Sequence, residues 1–172
     1  MTAGFVFIVG AQIAHLRATR RRGRIVRRIG GLPELAPYFF WVPYVVIVAR
    51  PGPELAVPDA LRVIGLLLVV GGVLFSLWAI VTLGRHYDLL LEVHTDQELV
   101  RSGPYAFTRH PVYVGLALHF IGAALATGNL VLAAGTLALT FPALVARARA
   151  EETLLREQFG AEYEAYAREV RF

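Results

Sequence analysis

The densest group of chemically versatile side chains lies in RSGPYAFTRHPVYVG, residues 101–115, directly before a long apolar segment. Proline is common in the first turn of a helix, so His110-Pro111 predicts a helix that begins near residue 111. The free N–H groups of such a helix start attract a carboxylate or a phosphate, and Arg109 and His110 would strengthen the attraction. The alternative interpretation is an ordinary helix cap flanked by interfacial side chains.

A second polar group follows the last apolar segment. Arg147 and Glu151 are four residues apart, so on a helix they share one face. Charges at a membrane boundary can face a cavity and bind a polar ligand. The alternative is a snorkelling arginine with a helical ion pair, worth about 0.3 kcal/mol.

Other kinds of site are excluded or disfavoured. The chain has no cysteine, which excludes thiolate metal sites and cysteine nucleophiles. It also lacks GxGxxG, P-loop and GxSxG patterns. His86 and His94 lack a carboxylate-rich metal pattern, so we expect no metal site. For His15 and His119, which lie in apolar segments, we expect packing roles.

The composition predicts that these polar groups lie in a membrane protein. Of 172 residues, 56% are hydrophobic and 17% charged, and the mean hydropathy is +0.56. All of the positive charge is arginine, and RATRRRGRIVRR, residues 17–28, is typical of a cytoplasmic loop that faces anionic lipid. No nucleic-acid-binding motif accompanies the charge, so we expect no nucleic-acid partner.

The apolar segments predict an all-α integral membrane protein with about five transmembrane helices. Residues 63–83 run 21 positions without a charge, long enough to cross the bilayer. Small residues would let the two arms of a C-terminal hairpin approach closely, namely Gly122, Ala123, Ala124, Ala126, Ala133, Ala134 and Gly135. The predicted spans are 1–16, 35–49, 63–83, 111–126 and 129–150.

The whole chain is expected to form one domain. More arginines lie in the connector and the tail than beside the loop 51–59. The positive-inside rule places the connector and the tail in the cytoplasm, where a cofactor pocket would lie. In the tail, Leu155, Phe159, Tyr163, Tyr166 and Val170 recur at helical spacing and predict one helix. The parts are N-terminal spans 1–83, connector 84–110, hairpin 111–150 and tail helix 151–172.

The order LG…ELVRSGPYAFTRHPVYVG, an apolar hairpin and EETLL…FGAEYEAYAREV resembles the isoprenylcysteine carboxyl methyltransferase family. That family is related to the phospholipid N-methyltransferases. The resemblance covers residues 83–172 and implies a cytoplasmic S-adenosylmethionine (SAM) pocket without a Rossmann domain. It also implies that Glu151 holds the cofactor and acts in catalysis together with Arg147, which would face the substrate. The remaining implied cofactor residues are Gln97, Glu98, Leu99, Val100, Tyr105, His110, Pro111, Val112 and Tyr113.

The resemblance implies SAM-dependent methyl transfer to a lipophilic acceptor in the bilayer, by default the carboxylate of a C-terminal isoprenylcysteine. A phospholipid amine, a small thiol or another isoprenoid acid are alternative acceptors. A sterol-type reductase that uses NADPH and a non-enzymatic membrane scaffold are alternative functions. The lysine-free, arginine-rich composition is typical of high-GC prokaryotes, so we expect the inner membrane.

Overall fold

The computed structural model describes residues 13, 24–31, 35, 37, 39–49, 52–88 and 92–171, and these residues are mostly helical. The predicted span 1–16 lies outside them except for residue 13. The helices are α1 (Val42–Ala49), α2 (Asp59–Leu83), α3 (Pro111–Thr127), α4 (Leu130–Gly135), α5 (Phe141–Phe159) and α6 (Ala161–Glu169). A π-helical turn, Thr136–Thr140, joins α4 to α5, and short 3₁₀ turns occupy Gly84–His86 and Gly103–Ala106.

Two of the described helices are long and apolar enough to cross a membrane. They run over Asp59–His86 and Leu130–Phe159, while the apolar helix Pro111–Thr127 is shorter. Within the predicted span 35–49 the structure gives the eight-residue helix α1, and residues 35, 37, 39 and 40 are helical as well. The prediction is therefore confirmed as a mostly helical fold with two candidate membrane helices, and not as a count of five spans.

Helices α2 and α3 run antiparallel and touch through glycines. A Cβ atom on Gly122 would lie 2.5 Å from the carbonyl oxygen of Gly65, and one on Gly72 would lie 2.7 Å from the amide of His119. Gly115 faces Gly72 in the same way. The predicted close approach at Gly122 therefore occurs against α2, not against the second arm of the hairpin.

The hairpin between α3 and α4 turns where Thr127-Gly128-Asn129 predicts a turn. Gly128 adopts a left-handed conformation (φ +67°), and the Asn129 side chain accepts a hydrogen bond from the amide of Leu132 at 2.9 Å. The preceding loop reinforces the turn, since the amide of Leu55 donates to the carbonyl of Gly128 at 2.9 Å.

The second hairpin arm continues beyond the predicted end at residue 150. Helix α5 runs to Phe159, and Gly160, at φ +49°, separates it from α6. The predicted single tail helix is therefore wrong, because the glycine redirects the chain within the expected apolar stripe. Tyr163 and Tyr166 of that stripe are buried.

The connector contains a feature that an all-α prediction misses. Strand β2 (Glu92–His94) pairs antiparallel with β1 (Ile25–Arg28), which lies at the end of the arginine-rich segment. In the register, Ile25 faces His94 and Arg28 faces Glu92. The pairing holds the connector beside residues far away in the sequence.

Candidate active site

The polar centre of the site joins the start of α3 to the middle of α5. The Tyr113 hydroxyl donates a hydrogen bond to Glu151 Oε1 and accepts one from Arg147 Nε at 2.9 Å. Arg147 Nε also lies 3.4 Å from Glu151 Oε1. Arg147 is only 2% exposed, so this cation is enclosed by protein and is not a snorkelling surface arginine. The structure thus brings together three of the predicted site residues.

His110 lies on the other side of the Tyr113 ring. The two rings stack with centroids 5.7 Å apart and an interplanar angle of 18°. The imidazole Nδ1 is 3.8 Å from Glu151 Oε2, and Nε2 is 3.2 Å from Glu152 Oε1. Because His110 is buried, both carboxylates contact it away from bulk water.

The start of α3 carries charged partners that the sequence does not predict. The helix begins at Pro111 as expected, but the carbonyl of His110 accepts hydrogen bonds from the amides of Tyr113 and Val114, each at 3.0 Å. The side chains of Arg109 and His110 both bind Glu152. Two carboxylates and the arginines paired with them therefore lie beside this helix start, and its anion-binding role stays a prediction.

Sequence reasoning missed the ion network that fixes this arrangement. Arg109 Nη2 lies 2.7 Å from Glu152 Oε1, and its Nη1 donates to the carbonyl of Val170 at 2.7 Å and to that of Ala167 at 3.1 Å. Arg156 Nη2 binds the other oxygen of Glu152 at 3.2 Å. One arginine therefore ties the start of α3 to both α5 and the end of α6. The EExxL motif contains Glu152, but only the fold shows that Arg109, His110 and Arg156 are its partners.

Tyr105 of the GPY motif is buried and attached to the tail. Its carbonyl accepts a hydrogen bond from the hydroxyl of Tyr166 at 2.8 Å. Burial, and then the nearby carboxylate of Glu151, raise the pKa of the Tyr105 hydroxyl well above its ordinary value. Tyr105 therefore remains a neutral hydrogen-bonding group close to Glu151.

The predicted stretch 97–100 makes its polar contacts within the connector. The side-chain oxygen of Gln97 accepts from the amide of His94 at 3.2 Å. Glu98 is exposed and pairs with Arg85 at 2.9 Å. Leu99 and Val100 are partly buried. These contacts hold the connector together, and the cofactor role of this stretch stays a prediction.

The sequence predicts no metal site, because His86 and His94 lack a carboxylate-rich pattern, but the fold brings two acidic residues close to His94. Ligand atoms of Asp88, Glu92 and His94 all lie within 4.8 Å of one another. Asp88 lies four residues before Glu92, and His94 follows two residues later on β2, a spacing that matches no common metal motif.

These features define a helical membrane protein with an enclosed cluster of charged and aromatic groups at one end of its helices. The sequence model of the phospholipid methyltransferase family matches residues 61–162, and the chain belongs to this family.

Relatives and a solved structure agree with that assignment. A probable protein-S-isoprenylcysteine O-methyltransferase from Oryza sativa subsp. indica is 30% identical over 69% of this chain and 63% of its own length. The nickel-cobalt-cadmium resistance protein NccN of Alcaligenes xylosoxydans xylosoxydans is 33% identical over 63% of this chain and 47% of its own. The structure of a eukaryotic intramembrane Ras methyltransferase, an isoprenylcysteine carboxyl methyltransferase, superimposes with a TM-score of 0.61 at 30% identity. It covers 83% of this chain and 52% of that one.

The chain thus spans less than two thirds of the length of these relatives. The family model covers most of α2 and all of α3, α4 and α5. This part contains the enclosed cluster around Arg147.

Proposed function

We propose that this protein transfers a methyl group from SAM to a lipophilic acceptor at the boundary between membrane and cytosol. The leading acceptor is the carboxylate of a C-terminal isoprenylcysteine. The observation that supports this proposal is the buried Arg147, held against Tyr113 and Glu151 on a helix long and apolar enough to cross a membrane. Family membership supports the reaction class and argues against the sterol-type reductase and the scaffold.

The charges around His110 fit SAM. When bound, SAM supplies an electrophilic methyl group on a sulfonium, and its methionyl part also carries an ammonium. Glu151 is 29% exposed at its side chain, so its carboxylate is accessible to a polar or positively charged group. A water-excluding site strengthens such an attraction. Residues Gln97, Glu98, Leu99, Val100, Tyr105, His110, Pro111, Val112, Tyr113 and Glu151 would hold SAM.

Arg147 is the residue we assign to the acceptor. A guanidinium binds a carboxylate with paired, charge-assisted hydrogen bonds, and these are strongest where water is excluded. An acceptor carboxylate is ionised at pH 7, so the chain needs no general base. Arg147, oriented by Tyr113, would therefore align the acceptor, and the apolar helices would keep its lipid chain in the bilayer.

The role of Glu151 depends on which acceptor is methylated. A phospholipid amine or a thiol must lose a proton before it reacts, and Glu151 would then be the nearest base to Arg147. The relatives include a protein named for nickel, cobalt and cadmium resistance, so family membership alone does not select the acceptor.

Calorimetric titration of the detergent-purified protein with S-adenosylhomocysteine tests the proposal, with NADPH as the control ligand. We expect saturable binding of S-adenosylhomocysteine at about micromolar strength and none of NADPH. Glu151→Gln and His110→Ala should weaken this binding. Arg147→Ala should preserve it and lower methylation of an isoprenylcysteine substrate. Equal affinity in all three variants would refute the site assignment, and binding of NADPH alone would favour the reductase.

A further inference from the structure

A small cavity in the connector is lined by residues other than Tyr113, Arg147 and Glu151, although Gln97, which we assign to SAM, also lines it. It is lined by residues of the connector alone, among them Asp88, Glu92 and His94. One ligand atom from each of these three residues lies within 4.8 Å of the other two. That spacing lets a single ion contact all three.

The His94 imidazole is available to a ligand in this cavity. His94 is only 7% exposed, and among the described residues its ring nitrogens make no hydrogen bond, although its main-chain amide binds Gln97. An imidazole nitrogen without a protein partner can bind a metal ion. His86, by contrast, lies within hydrogen-bonding distance of two donors, Arg85 Nε at 3.2 Å and the amide of Glu98 at 3.3 Å.

The backbone explains why the three side chains converge. Glu92 and His94 are two residues apart on β2, so their side chains leave the strand on the same side. Pairing with β1 fixes the orientation of that strand. Asp88 approaches from the segment that follows the 3₁₀ turn at Gly84–His86.

The donor atoms of the cavity favour a transition metal. Two carboxylates lie beside the imidazole, and Arg28, half exposed to solvent, reaches Glu92 at 3.5 Å. Arg85 also lines the cavity and pairs with Glu98. An imidazole nitrogen next to two carboxylate oxygens is a donor set that a transition metal prefers.

We propose that Asp88, Glu92 and His94 bind one divalent transition-metal ion through an imidazole nitrogen and two carboxylate oxygens. A nitrogen donor selects Zn²⁺, Co²⁺ or Ni²⁺ over Mg²⁺, which prefers oxygen alone. Because the ion would link β2 to the segment after the 3₁₀ turn, it would stiffen the connector. This site does not depend on the proposed methyl transfer.

Calorimetric titration of tag-free, chelator-treated protein in detergent with Zn²⁺, and with Mg²⁺ as the comparison ion, tests the site. We expect one Zn²⁺ per chain and no measurable Mg²⁺. His94→Ala and Glu92→Gln should each weaken Zn²⁺ binding by at least about tenfold. The matched control is Glu162→Gln, which removes an exposed, arginine-paired carboxylate outside the cavity and should leave Zn²⁺ affinity within about twofold.

Co²⁺ absorption and S-adenosylhomocysteine binding complete the test. Visible Co²⁺ bands that disappear in His94→Ala would support direct ligation by the imidazole. Zn²⁺ binding that persists in saturating S-adenosylhomocysteine would support a site separate from the cofactor. The proposal is overturned if no Zn²⁺ binds to the folded protein, or if both variants bind it like wild type. It is also overturned if Glu92→Gln weakens only S-adenosylhomocysteine, since the cavity would then serve the cofactor.

Discussion

At the scale of single residues, the polar contacts of the site converge on Glu152. Its carboxylate binds Arg109, His110 and Arg156, and only 11% of its side chain is exposed. Through Arg109 it also connects to the end of α6. Removing one partner of such an enclosed group leaves the others with uncompensated charge, whereas an exposed pair loses little. Glu152 should therefore affect folding, as distinct from the ligand contacts proposed for Glu151.

Glu152→Gln should lower the free energy of unfolding by about 1–3 kcal/mol, because Arg109 remains enclosed without its carboxylate. Thermal unfolding in detergent measures the change. Glu162→Gln is the matched control, since Glu162 pairs with Arg101 at 2.9 Å but is 58% exposed at its side chain. Its cost should stay below about 1 kcal/mol. Equal costs for the two variants would contradict the enclosed network.

Two tyrosines of α6 offer a second matched comparison. The Tyr166 hydroxyl donates to the carbonyl of Tyr105, while the buried Tyr163 hydroxyl has no partner among the described residues. Tyr166→Phe should therefore cost about 1 kcal/mol of unfolding free energy, and Tyr163→Phe should be neutral or slightly stabilising. Chemical denaturation at neutral pH would distinguish them. A larger cost for Tyr163→Phe would indicate that its hydroxyl is bonded after all.

Alkaline pH should weaken the attachment of α6 through Tyr166. Burial raises the pKa of this hydroxyl to about 12 from its ordinary value of 10.0, so the folded state favours the neutral phenol. The resulting stability is fully present below pH 10 and is lost as pH rises towards 12. Unfolding midpoints across this range should fall less steeply in Tyr166→Phe than in wild type. Identical slopes would exclude Tyr166 as a contributor.

The sequence reveals the site residues better than it reveals their partners. Arg147 and Glu151 are four apart on one helix, so their proximity follows from local geometry. The contact of Tyr113 with both, and that of Arg109 with the end of α6, depend on how distant helices pack. The carboxylates beside His110 are not foreseen for the same reason, because they come from a helix about forty residues later.

At the scale of elements, α2 and α3 are fitted to each other by glycines seven residues apart on each helix. Gly65 faces Gly122 and Gly72 faces Gly115, so the two backbones meet without intervening side chains. In lipid, where apolar burial drives little association, such close packing supplies much of the attraction between helices. The Ser76 hydroxyl adds a hydrogen bond to the carbonyl of Val112 at 3.0 Å. This interface therefore fixes the position of the α3 start, where the site lies.

Gly72→Ala should cost about 1–3 kcal/mol, because the added methyl would meet the backbone of α3 rather than a movable side chain. Gly71→Ala is the matched control: Gly71 is the adjacent residue, is exposed, and has nothing within 4 Å of an added Cβ. Its stability should stay within about 1 kcal/mol of wild type. Thermal unfolding in detergent compares the two. Equal tolerance of both substitutions would show that the helices are not in backbone contact.

Long apolar helices are the elements that the sequence predicts best. The segment 63–83 lies within α2, and the hairpin turn falls at Gly128-Asn129 as expected. Hydrophobic length and turn residues are local properties. The pairing of β1 with β2 joins residues far apart in the sequence. The two strands have only four and three residues, too few for an alternation of apolar and polar residues to be recognised. The helix break at Gly160 is not predicted, because the apolar spacing continues across it.

At the scale of the whole molecule, the polar groups separate to the two ends of the helices. Near the end of α2 and the start of α3 lie the connector, the ion network and α6. At the opposite end, the loop before α2 binds the hairpin turn, with the amide of Leu130 donating to the carbonyl of Pro53 at 3.0 Å. Among the described residues, Arg85, Arg101, Arg109 and Arg156 belong to the first end, and Arg62 to the second. The positive-inside rule then predicts that the first end faces the cytoplasm.

Single cysteines would test this orientation without background, because the chain contains none of its own. Ser102→Cys places a thiol at an exposed position of the connector, and Ala56→Cys places one in the exposed loop before α2. A membrane-impermeant maleimide added to intact spheroplasts should label Ala56→Cys and spare Ser102→Cys. Inverted vesicles should give the opposite result, because their cytoplasmic face is outside. Reversed labelling would put the proposed site on the side of the membrane where cytosolic SAM is absent. Labelling of both positions from one side would mean that α2 does not cross the bilayer.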